Sequence, residues 1–130
     1  MEKQQVREMW VNALESGNYE QSFTLLHQTN GEKQLYCCLG VLCDLYLKNV
    51  GDIITEYDEY NDFTYYDGEE SVLPEKVKDW VGLTDSAGKI NADGVRFNTD
   101  ESLSGLNDEG FTFKEIAQII RDNDTLFVND

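Results

Sequence analysis

Three cysteines fall within one short stretch, Cys37-Cys38-Leu39-Gly40-Val41-Leu42-Cys43, and the single histidine, His27, lies upstream of them. A thiol nucleophile needs a base within hydrogen-bond reach, and a metal cradle needs paired Cys-x-x-Cys spacing or several histidines; this pattern supplies neither. If the stretch is helical, Cys38 and Cys43 project in different directions, so no disulfide is expected and the thiols read as small buried hydrophobes. His27 falls on an expected strand and reads as a satisfied or exposed ring. No Gly-x-Gly-x-x-Gly or Gly-x-x-x-x-Gly-Lys string exists to cradle phosphates, which excludes the ordinary nucleotide folds. No catalytic residue, no metal site and no cofactor are therefore expected.

Residues 52–70 have a different chemistry. Tyrosines and Phe63 alternate with carboxylates there, and no Lys or Arg occurs between Lys48 and Lys76. Tyr57, Asp58, Glu59, Tyr60, Asp62, Tyr65 and Tyr66 are expected to form an acidic and aromatic recognition patch. A calcium loop starting at Asp58 fails, because Tyr60 takes the third position and Phe63 replaces the required glycine. Neighbouring carboxylates such as Asp58 and Glu59 would act as an acid and base pair only if one were buried with a raised pKa. An alternative is a ligand pocket in which the tyrosines stack on a base while Lys89, Arg96 or Arg121 reaches a phosphate. Against it, tyrosines at alternating positions usually form one face of a strand.

The whole chain is acidic: 10 Lys and Arg against 26 Asp and Glu, 10 − 26 = −16 at pH 7. Such a surface repels nucleic acid and anionic membranes and favours a basic protein partner, although acidity also simply keeps a small protein soluble. Hydrophobic residues make up 40% of the chain and aromatics 12%, enough for a core. No apolar run is long enough for a membrane span, and residues 1–5 do not open a secretory signal, so a cytoplasmic protein is expected.

The elements that must carry these residues follow from periodicity. Val6, Met9, Trp10, Ala13 and Leu14 repeat at helical spacing over residues 2–15, and Ser16-Gly17 stops that helix. Extended segments at 22–28 and 33–36 flank Thr29-Asn30-Gly31-Glu32, which reads as a tight hairpin. Residues 37–49 are apolar nearly all round, the mark of a buried helix, and Gly40 within it predicts that another element packs closely there. Strands are expected at 53–57 and 63–66, then a short helix with Pro74 in its first turn and Gly82 at its end. Residues 85–99 read as a loop or weak second hairpin around Ile90 and Val95 to Phe97, and 103–106 as an approach to the turn Asn107-Asp108-Glu109-Gly110. The box Thr112-Phe113-Lys114-Glu115 opens a last helix over 113–122. The result is one α+β domain over residues 1–130, with about four helices and a small antiparallel sheet of hairpins. Its core should hold Trp10, Leu14, Leu39, Leu42, Leu45, Val77, Trp80, Ile116 and Ile120.

Four pieces in this order, Trp10…Ala13-Leu14-x-Ser16-Gly17-x-Tyr19, the block from Tyr36-Cys37-Cys38 to Asp44-Leu45-Tyr46, Leu73-Pro74…Trp80-x-Gly82-Leu83 and Leu106-Asn107-Asp108-x-Gly110-x-x-Phe113, resemble a set of small bacteriophage and prophage proteins. The resemblance implies a phage accessory setting, in the host cytoplasm during infection, and says nothing about catalytic residues. Two functions fit. The first is a non-enzymatic acidic module that docks on and blocks a basic host or phage protein, as a nucleic-acid mimic would. The second is a counter-defence sponge that sequesters a small nucleotide-like signal in an aromatic pocket, with a homo-oligomer left open. An enzyme acting on a nucleotide ranks third, for want of a base or metal site.

Overall fold

A computed structural model describes residues 1–90 and 101–128. In chain order the elements are α1 (Lys3–Glu15), β1 (Glu20–Gln21), β2 (His27–Asn30), β3 (Lys33–Tyr36), α2 (Cys38–Asn49), β4 (Thr55–Asp58) and β5 (Phe63–Tyr66), then α3 (Glu75–Val81), α4 (Leu103–Asp108), α5 (Phe113–Asp122) and a 3-10 turn, Asp124–Leu126. The fold is α+β. Its sheet has the order β1-β3-β2-β5-β4 and is mixed: β1 runs parallel to β3, and the other neighbours are antiparallel. The expectation of a purely antiparallel sheet fails at β1, whose two residues reach back across the hairpin to pair with Leu35 and Tyr36.

Local chemistry explains most elements. In α5 the Thr112 hydroxyl accepts the Glu115 N–H and the Glu115 carboxylate accepts the Thr112 N–H, the reciprocal cap expected from sequence. The hairpin of β2 and β3 closes on Gly31-Glu32, with the positive φ at Gly31, where a two-residue hairpin loop favours glycine. Its first strand begins at His27 rather than residue 22. The preceding segment turns instead through Thr24, whose φ is +73°, with the Leu25 N–H donating to Phe23 O.

The helix α2 is buried from Cys38 through Tyr46. It crosses Leu26 so closely that a Cβ on Gly40 would lie 1.7 Å from the Leu26 carbonyl oxygen. α1 packs against α2, α3 and α5. Neighbours on several sides bury Val11 and leave Met9 and Ala13 only half-buried, which widens the expected stripe. Trp80, expected inside, is likewise half-buried and meets Tyr46 edge to face at 5.2 Å. The remaining expected core residues are buried.

Residues 103–106, expected to lead into a turn, belong instead to α4, capped by the Ser102 hydroxyl on the Gly105 N–H. At its end the side chain of Asn107, fully buried, accepts the Cys38 N–H at 3.1 Å and donates to Ser22 O at 2.9 Å. It thereby ties α4 to the start of α2 and to the segment after β1. The pieces around Val95 to Phe97 lie outside the described residues. Among the described residues no helix is long and apolar enough to cross a membrane.

Candidate functional site

The acidic and aromatic stretch becomes the hairpin of β4 and β5, and β4 is the last strand of the sheet. Its loop is built by its own carboxylates. Asp58 Oδ1 accepts the N–H groups of Tyr60 and Asn61 at 2.9 and 3.1 Å, and Oδ2 accepts the Asn61 side-chain amide at 3.1 Å. Donors aimed at the carboxylate favour its charged form, so the Asn61 contacts hold the Asp58 pKa below its usual value. Asp62 adopts a left-handed φ of +56°, accepts the Tyr57 hydroxyl at 2.8 Å and gives its carbonyl to the Thr29 N–H. This frame lifts Tyr60 into solvent, where it is 97% exposed, and leaves Tyr57 about half exposed at 49%. Glu56 and Glu59 are exposed and have no ion-pair partner among the described residues.

The expected patch is thus divided. Tyr57, Glu59 and Tyr60 stand at its exposed tip, while Asp58 and Asp62 spend hydrogen bonds on the turn itself. Tyr65 is half-buried, edge to face with Phe63 at 4.8 Å. Tyr66 does not belong to a solvent patch: it is 1% exposed. The strand turns sharply after it at Asp67-Gly68, both at positive φ, and Tyr66 exchanges backbone bonds with Glu69. Its hydroxyl meets His27 Nδ1 at 2.9 Å.

That contact opens an inner polar network. His27 stacks on Tyr36 at 4.4 Å, and its Nε2 meets Gln34 Oε1 at 2.5 Å. The Gln34 oxygen can only accept, so Nε2 donates to it, and with the Tyr66 hydroxyl at Nδ1 the ring has a partner on both sides. Nearby, Asp44 on α2 accepts the Tyr19 hydroxyl at 2.6 Å and pairs with Lys48 at 2.8 Å. Burial, reinforced by the Asp44 charge, pushes the Tyr36 phenol up to about 12 and raises Tyr19 and Tyr66 as well. Burial also lifts the Cys37 thiol to about 11 and raises Cys38 and Cys43. At neutral pH these groups hold their protons and are weak nucleophiles and poor bases. Sequence reasoning missed this network: a lone Asp44 in an apolar helix was the available signal, one buried charge that required a partner.

Of the alternative phosphate contacts, Arg121 is engaged on α1 instead. Arg121 is held by Glu15 at 2.5 Å and faces Glu8 at 3.8 Å, both on α1. Lys89 pairs through its backbone with Ser102, and Arg96 lies outside the described residues. Two adjoining cavities of about 420 and 410 Å³ run beside α1, but neither is lined by a hairpin tyrosine. Their shared cation, Arg7, is already bound to Asp124 at 2.8 Å and Ile120 O at 3.0 Å, and lies over the Phe127 ring.

No curated protein and no solved structure matches the chain. Over residues 1–124 the sequence matches the family described as a domain of unknown function, DUF8296, and the chain belongs to that family.

Proposed function

We infer that this protein is a non-enzymatic, phage-type accessory module that uses the acidic hairpin of β4 and β5 to dock on a basic protein surface and block it. The observation that carries this reading is the tip: Tyr60 is almost wholly in solvent, beside carboxylates that no Lys or Arg of the described residues neutralises. A tyrosine supplies a rigid anchor at low entropic cost, and unpaired carboxylates supply orientation and long-range attraction. The chain's charge of −16 adds a field that favours encounter with a cationic surface.

The test is capture from infected-cell lysate with the immobilised full chain, and mass analysis of both the retained proteins and any heat-released small molecules. A basic protein is expected, retained at ~50 mM salt and released by roughly 300 mM, because screening weakens exposed charge contacts. The double variant Glu59→Lys/Tyr60→Ser should lose it. Retention that ignores both salt and this variant would reject the reading, and release of a nucleotide from the native protein would favour sequestration instead.

A further inference from the structure

The hairpin's pairing pattern specifies how a partner can attach. The Asp67 N–H donates to Ile54 O, and the Asp62 N–H to Asp58 O, so Ile54 and Asp58 turn their carbonyl groups towards β5. In an antiparallel ladder the direction alternates, which places Glu56 with them and points the backbone N–H and C=O groups of Thr55 and Tyr57 away from the sheet. The Thr29 N–H bond to Asp62 O confirms the same alternation on the β2 side. Strand β4 is last in the sheet order, and Thr55, Glu56 and Tyr57 are all exposed. The described residues therefore leave an open edge, a ready template for one more strand.

Its side chains say which strand. Glu56 and Asp58 lie on one face of β4, Thr55 and Tyr57 on the other. A second copy of this chain would set carboxylates against carboxylates along the edge, which disfavours self-pairing. An extended segment with Lys or Arg at every second position would place its cations beside Glu56 and Asp58, and its intervening residues beside Thr55 and the Tyr57 ring.

We propose that the β4 edge binds an extended partner segment of alternating basic and apolar residues by strand addition, using the outward backbone groups of Thr55 and Tyr57. This rests on the docking reading above and specifies its mode; main-chain bonds would give affinity and the alternation specificity. The discriminating probes are two synthetic ten-residue peptides of identical composition, one alternating Arg and Val and one with five Arg followed by five Val, titrated calorimetrically into the full chain. The alternating peptide should bind ~10-fold or more tightly and slow hydrogen exchange at the Thr55 and Tyr57 amides.

Tyr57→Pro removes an N–H that the protein's own ladder does not use, so it should abolish the difference between the peptides, while Tyr57→Val preserves it. Equal affinity for both peptides without amide protection would overturn strand addition and leave salt-dependent docking of the hairpin standing. Binding of neither peptide would overturn it too, and the docking reading would still be judged by the lysate capture. A dimer in sedimentation that Tyr57→Pro dissolves would show that the edge serves a second copy, which also overturns the proposal.

Discussion

The helix α2 and the hairpin of β4 and β5 are neighbours in sequence and opposites in environment. From Cys38 to Tyr46 every residue of α2 is buried, whereas Thr55, Glu56 and Tyr57 are exposed and Tyr60 is almost wholly in solvent. The single carboxylate in the buried run, Asp44, is held by Tyr19 and Lys48, while Glu56 and Glu59 lack ion-pair partners among the described residues. A buried charge must be matched because its desolvation is costly, but an exposed one can stay unmatched at little cost. Within the hairpin, Asp58 and Asp62 serve the turn, whereas Glu56 and Glu59 make no ion pair with the described residues.

The sharpest way to break this contrast is at Gly40. Gly40→Ala drives a Cβ into the Leu26 backbone and should cost about 3 kcal/mol or more, read from the urea midpoint; an unchanged midpoint would refute the close crossing. Alkaline titration comes next. Folding raises the Cys37 thiol from the usual 9.0 to about 11, so the folded chain keeps a proton that the unfolded chain releases. This stabilisation is complete below pH ~9 and lost as pH rises to ~11, at most about 3 kcal/mol from Cys37. Cys37→Ser should flatten that part of the slope, and an equally steep decline in the variant would assign it elsewhere.

Asn107→Ala should cost about 1–3 kcal/mol, since the buried Cys38 N–H loses its acceptor; a neutral effect on thermal unfolding would mean the clamp is dispensable. The smallest effect belongs to the tip. Tyr60→Ser should leave stability within ~0.5 kcal/mol while weakening partner retention, and a large loss of stability would show that the ring serves the fold.

Much of the architecture was legible because it was written locally. The box at Thr112 and Glu115 marked the start of α5, Asn30-Gly31 marked a hairpin, and Gly40 in an apolar run signalled a close crossing. The helix α4 was not legible: its six residues include Gly105 and Asn107, which read as turn chemistry, and the helix is held by contacts distant in sequence. The hairpin was found, but the division of its tyrosines was not. Composition cannot tell Tyr60 from Tyr66: the first stands in the loop between β4 and β5, the second ends β5 and turns inward, and only the tertiary structure separates them.

Sequence by itself determined helices α1, α2 and α5, the hairpins, the burial of the cysteine helix and the strongly negative charge, because helical period, caps and composition act over a few residues. Tertiary structure alone decided that β1 pairs parallel with β3, that Tyr66 turns inward onto His27, and that β4 comes last in the sheet with its edge left open by the described residues. Those outcomes depend on register and strand order, which are set by packing between residues far apart in the chain.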